Sequence, residues 1–136
     1  MKGGGAVEGQ TGPSLDAWLA EAKRSADAAG VGMYLCHNGV VRSFSRDGQP
    51  VVGMELAVDR VRLAEILATA RLMEGVSIVR AWINEGQLAV GDDIMYVMVG
   101  GDIRDNVVEA LVALVRMIKT EVVTETELRS WCPGRR

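Results

Sequence analysis

The side chains able to do chemistry in this sequence are few and widely spread. His37 is the only histidine, so no imidazole cluster can hold a metal and a catalytic dyad could use this ring alone. Cys36 and Cys132 are the only cysteines, and they lie far apart without the spacing of metal ligands. Cys132-Pro133 has no base nearby in sequence to activate its thiol. Gly100-Gly101 precedes a helical segment, where free amides could meet a phosphate, but without further glycine spacing a tight turn suffices. Three cations stand out instead. Arg42 closes a strand-like segment, where a solvated charge is the common role. Lys119 ends the longest amphipathic segment, where its charge suits the helix dipole. Arg104 begins that segment, where a cation is mildly unfavourable and a reason other than the dipole is needed.

The elements that must position these groups follow from periodicity. Ser14 caps a first helix carrying Leu15, Trp18, Leu19, Ala22 and Ala26 at helical spacing, and Gly30 ends it. Val31 to Ser45 reads as a strand with an irregular tail, where Met33 and Leu35 point one way and Tyr34 and Cys36 the other. Asn38-Gly39 marks a bulge or turn, and Arg46-Asp47-Gly48-Gln49 a turn that leads into the alternating segment Val51 to Val58, together a hairpin. Asp59 caps a second helix with Leu63, Ile66, Leu67 and Ala70 inward, stopping near Gly75. Val76 to Trp82 and Gln87 to Val90 are strands on either side of a bend. Gly91-Asp92-Asp93 turns the chain, and Ile94 to Val99, apolar on both faces, suits a central strand. Gly100-Gly101 then breaks the chain and Asp102 caps a third helix. Its wide apolar face, Val107, Val108, Leu111, Leu114, Val115 and Ile118, requires a sheet or a second subunit to cover it. Thr120 to Arg136 is polar, with Trp131 its one large apolar anchor. The class is α+β: a single domain with a mixed or mostly antiparallel sheet packed by three helices. The divisions are a flexible leader 1–13, the domain 14–128 and a tail 129–136.

Composition narrows the partners. With 136 residues, 49% hydrophobic and 24% charged, the chain can bury one sizeable core. A net charge of -3 argues against nucleic acid or an anionic membrane surface. No apolar run is long enough to span a bilayer, and nothing at the N-terminus has the apolar centre of a signal peptide. Two unpaired thiols without an export signal suggest a reduced, cytoplasmic setting. No cofactor and no metal are expected.

Gly39-Val40-Val41-Arg42 makes a glycine-x-valine-arginine segment, and Gly86 precedes a valine-glycine-aspartate turn at Val90-Gly91-Asp92. Arg104, Glu109 and Ala110 stand at a helix start, and Lys119 ends that helix. In these residues and in the order of its elements the chain resembles the catalytic large subunit of molybdopterin synthase, the MoaE family, as a divergent member. The likeness runs from about Ser14 to Glu127, with a shortened loop around Arg46 to Pro50. It implies a MoaE-like α/β hammerhead fold and transfer of sulfur from the C-terminal thiocarboxylate of a MoaD-like, ubiquitin-fold small subunit to cyclic pyranopterin monophosphate. By the same resemblance Lys119 is the catalytic residue, and Arg42, Val41 and Arg104 bind substrate. Arginine suits bidentate phosphate contacts and lysine supplies a mobile ammonium. Arg104 and Lys119, fifteen positions apart on one helix, stand roughly 22 Å apart. If both serve one site, two subunits must build it, which agrees with the homodimer the family forms.

The sequence also departs from the family pattern. The helix-start histidine is Ile103, and an earlier histidine-arginine pair is Ile83-Asn84. Beyond the helix, where the family has proline, an apolar residue, tryptophan and a lysine needed for transfer, the chain reads Val123, Thr124, Glu125 and Thr126. From Lys119 to Glu127 the carboxylates Glu121, Glu125 and Glu127 outnumber one cation, a local field that repels anions. A binding or regulatory module that keeps the fold but not the chemistry is therefore the alternative reading. An unrelated small α+β ligand sensor is a third. A basic residue entering the pocket from elsewhere, such as Arg129, Arg135 or Arg136, would restore the balance toward catalysis.

Overall fold

The computed structural model describes residues 12–130. In chain order they form α1 (Leu15–Lys23), a 3-10 turn (Ala28–Gly30), β1 (Met33–Val40), β2 (Gly53–Val58), α2 (Arg60–Ala70), β3 (Val76–Ile83), β4 (Gly86–Ala89), β5 (Asp93–Gly101), α3 (Arg104–Glu121) and β6 (Val123–Leu128). The α+β class and the three helices stand as read from sequence. The strands divide into two antiparallel three-stranded sheets, ordered β1-β5-β3 and β4-β2-β6.

Strand β5 is the centre. Met95, Val97 and Val99 lie in the core beneath α2 and α3, while Met98 meets α1 on the opposite face. This two-sided cover explains why the segment is apolar without alternation. Helix α1 begins where expected, with Ser14 Oγ accepting from Ala17 N at 3.1 Å. Trp18 and Ala22 are buried against Met98, beside Tyr34, Ile78, Trp82 and Tyr96. Trp18 and Tyr96 meet edge to face, and Arg80 stacks over the Trp18 ring at 5.0 Å. Helix α3 drives Val107, Ala110, Leu114 and Ile118 into the main core. Full burial of Leu114 alone stabilises the fold by about 1.5–3 kcal/mol.

Several expectations are corrected. The first helix ends at Lys23 and Ala26 is exposed; Gly30 closes a separate 3-10 turn. The expected hairpin does not form. The Ser45–Gln49 turn is present, with Gly48 at φ +85°, but it supports only an isolated Phe44–Pro50 bridge. Strand β1 pairs instead with β5, and β2 with β4 and β6, because β5 offers an apolar ladder that a local turn cannot match. The bulge read at Asn38-Gly39 is real, displaced to Gly39/Val40. Gly100 and Gly101 do not break the chain; both are paired residues of β5. A Cβ at Gly101 would stand 2.4 Å from Gly75 O, and one at Gly100 would stand 2.8 Å from the Tyr34 ring. Glycine is required there by close approach rather than by a turn. Ile103, not Asp102, is the N-cap of α3, although Asp102 Oδ1 accepts from Ile103 N at 2.6 Å and from Asn106 Nδ2 at 3.0 Å. The polar segment after α3 contains a strand that the sequence reading did not identify: Val123–Leu128 pairs with β2 from Val58 to Gly53. The expectations for residues 1–11, and for Trp131, Cys132, Arg135 and Arg136, lie outside the described residues.

Candidate functional site

A cleft of about 390 Å³ opens between the C-terminal half of α3 and β1, lined by His37, Leu111, Val112, Val115, Arg116, Lys119 and Thr120. Helical spacing makes it. Leu111, Val112 and Val115 form an apolar floor, and Arg116 and Lys119 follow at the rim on the same side of α3. Strand alternation supplies the opposite wall. Met33 and Leu35 pack into the core under α3, and His37, two residues on, shares their face and reaches the cleft. Burial first, and then the ammonium of Lys119, hold the His37 imidazole below the usual histidine range.

The ammonium of Lys119 has a partner. Its Nζ lies 3.1 Å from Glu125 Oε2 on β6, an ionic contact whose alignment is poor for a hydrogen bond. That carboxylate oxygen is closed to solvent and has no other partner among the described residues. The neighbouring carboxylates are paired as well. Glu121 accepts from Arg62 of α2, with Arg62 Nε at 2.9 Å, and Glu127 is paired with Arg129 at 3.4 Å. Arg129 also donates to Pro50 O at 3.0 Å. The excess of negative charge counted along this stretch is therefore offset by cations, one of them from α2, which no local window of sequence contains. The effect on a bound anion is correspondingly weaker than the count implies.

Of the four residues singled out from sequence, the cleft contains Lys119 alone. Val41 is buried at 2% exposure, and its backbone is used by the following turn: Val41 N donates to Asp92 O at 3.0 Å and Gly91 N to Val41 O at 2.9 Å. Its contribution is to anchor the strand end that presents Arg42. The Arg42 guanidinium is exposed and stacks over the Phe44 ring at 4.9 Å. Arg104 is exposed at the first turn of α3, the far end of the helix from Lys119. Thr126 is exposed on β6 opposite Glu55. Arg129, named as a possible replacement cation, is directed to Pro50 and Glu127 instead.

Two lining residues, Arg116 and His37, were not placed at the site by sequence reasoning. Nothing in the sequence distinguishes Arg116 from the other charges of α3. For His37, the chain's only imidazole, a usable signal existed: it is a polar residue in register with Met33 and Leu35 on the covered face of β1. Chemically, two cations above an apolar floor suit an anion joined to an apolar or planar body. A depressed imidazole adds a neutral proton acceptor. Among the described residues there is no group of three or more His, Cys, Asp or Glu that could hold a metal, and no helix is long and apolar enough to cross a membrane.

Comparison with known proteins gives a consistent family. The model of the MoaE family, described as MoaE protein, matches residues 14–121. No match to a curated protein was found. Among solved structures, the molybdopterin biosynthesis MoaE protein from Burkholderia ambifaria shares the fold at TM-score 0.66 and 22% identity, over 90% of this chain and 89% of that one. The molybdopterin synthase from Staphylococcus aureus gives 0.63 and 21%, over 76% and 77%. The complex of subunits 1 and 2 of molybdopterin-converting factor from Helicobacter pylori gives 0.65 and 18%, over 89% and 82%.

Proposed function

The chain belongs to the MoaE family, and from that premise we propose that it acts in molybdenum cofactor biosynthesis as the large subunit of a molybdopterin synthase. It transfers sulfur from the thiocarboxylate of a MoaD-like small subunit to cyclic pyranopterin monophosphate. The observation that carries the reading is the placement of Lys119 at the rim of a cleft with Arg116 beside it and an apolar floor below. The family match covers this helix, and Arg116 adds a cation that offsets the loss of the lysine at Thr126. The Helicobacter structure named above is a complex of two subunits, which supports a small-subunit partner for this chain.

Lys119 stabilises the negative charge that develops as the acyl carbon of the thiocarboxylate is attacked and released. Arg42, on the strand end anchored by Val41, and Arg104 bind the phosphate-bearing substrate. Arg104 and Lys119 occupy opposite ends of an 18-residue helix, roughly 22 Å apart by helical rise. A site using both is therefore shared between two subunits, and the protein works as a homodimer in the cytoplasm.

The test is reconstitution. The chain is mixed with a thiocarboxylated small subunit and the pyranopterin precursor, and molybdopterin is measured. Product formation that depends on Lys119 is the expected result. Absence of product with a competent partner overturns the enzymatic reading. Partner binding without product supports the alternative, a MoaE relative serving as a binding or regulatory module, which Ile103 and Thr126 favour.

A further inference from the structure

The sulfur-transfer reading leaves one step without an assigned group, and the inference made here rests on that reading. A thiocarboxylate that gives its sulfur to a new carbon becomes, once that bond has formed, an acyl group still attached to the sulfur. The acyl–sulfur bond can break only if the acyl carbon receives another atom. Water supplies oxygen: the thioester and one water give a carboxylate on the carrier tail, a thiol on the substrate and one proton. One hydrogen of the water ends on the departing sulfur, and the other must be taken up by a base. No oxidant or reductant enters the step.

We propose that His37 is that base, accepting the water proton in the cleft it shares with Lys119. Three observations converge on this assignment. First, His37 lines the same cleft as Lys119 and Arg116, so a water there can face the imidazole while the acyl oxygen faces an ammonium. Base and oxyanion stabiliser are the two groups such a hydrolysis requires. Secondly, His37 is set on β1 at a register otherwise used for core residues, opposite Val97 of β5, so its ring is aimed beneath α3 rather than into bulk solvent. Thirdly, the charged groups around the cleft favour the neutral ring. Arg116 and Lys119 of α3 line it, with Glu125 of β6 held by Lys119 rather than by the imidazole. Burial and Lys119 both disfavour the imidazolium, which keeps the base free near neutral pH. As the chain's only histidine, His37 can be tested without interference from another imidazole.

The experiment uses the full chain, thiocarboxylated small subunit and pyranopterin precursor, with two mass-spectrometric readouts: sulfurated product and the free-carboxylate form of the small subunit. His37→Asn and His37→Gln are compared with wild type from pH 5 to 9, alongside small-subunit binding and thermal melting. The expected result is unchanged binding and a fall of at least about a hundredfold in carboxylate release. A covalent adduct of small subunit and substrate accumulates in the variants. The wild-type rate drops as pH falls through the depressed histidine pKa, and this acid limb is absent from both variants. Equal release with the same acid limb in the variants overturns the assignment. Loss of small-subunit binding or of folding in both variants also overturns it, because His37 would then be structural. Wild type yielding neither product nor free carboxylate overturns the sulfur-transfer reading itself.

Discussion

Replacing Glu125 by Gln tests the site most directly, because it alters charge at Lys119 while nearly preserving shape. Glu125 Oε2 stands 3.1 Å from Lys119 Nζ. An anion touching that ammonium from the open side, at about 3 Å, would lie about 6 Å from the carboxylate oxygen. Two like charges at that separation repel by about 0.7 kcal/mol with water-like screening and about 2.8 kcal/mol at an effective dielectric near 20. The Lys119 side chain is 50% exposed, which places the real value toward the lower figure. Glu125→Gln should therefore tighten anion binding about three- to tenfold. The lost ion pair costs stability at most about 1 kcal/mol, as expected of a partly exposed pair. The assay is calorimetric titration with inorganic phosphate and with a peptide bearing a C-terminal thiocarboxylate, repeated at low and high salt. The gain should shrink at about 1 M salt, where the screening length is about 3 Å. Unchanged affinity at low salt refutes the idea that anions meet Lys119. Weakened affinity shows instead that Glu125 orients the ammonium, and the repulsion reasoning fails.

Other substitutions address the dimer and the fold. Lys119→Ala and Arg104→Ala should each be inactive alone. Mixed as exchanging dimers they should regain about a quarter of wild-type activity, since half the dimers carry one intact site of two. No recovery after verified exchange argues against a shared site. Gly101→Ala places a Cβ 2.4 Å from Gly75 O and 2.8 Å from Val107 Cγ2. Overpacking against backbone of this kind should destabilise by about 1–3 kcal/mol in denaturant titration, whereas a freely adjustable loop glycine would show almost none. Tyr96 donates to Asp93 Oδ2 at 2.7 Å, and its phenol is pushed up to about 12, first by that hydrogen bond and then by burial. A raised pKa favours the neutral phenol in the fold. The stabilisation is therefore complete below pH 10 and lost as pH rises from 10 to 12. Melting temperatures of wild type and Tyr96→Phe should differ at pH 9 and converge by pH 12; a constant difference across that range would refute the linkage.

Local signals determined what could be read from the chain itself. Ser14 and Asp59 cap their helices because a short oxygen-bearing side chain reaches an amide three residues on, a geometry independent of the rest of the fold. The unbroken apolar run Ile94 to Val99 announced a strand covered on both faces, since only burial on two sides removes the alternation. The ordered residues of the family pattern, from Gly39 to Lys119, led to the family to which the chain belongs. Partner choice among strands was not legible. A turn at Arg46 to Gln49 suggested a hairpin, but β1 gains more by pairing with β5 than with its neighbour in sequence. The strand after α3 was hidden by its polar composition, because β6 buries only Val123 and Leu128 at its ends.

The candidate site divides in the same way. Lys119 could be found from the sequence because it sits in an ordered pattern at a helix end. The charge around it could not, because Arg62 arrives from α2 and neutralises Glu121 through space. Nor could Arg116 and His37 be joined to Lys119 until α3 was laid across β1. Helical period and strand alternation dictate which face each residue takes, whereas packing decides which two faces meet. That meeting converts separate charges and a lone imidazole into a cleft.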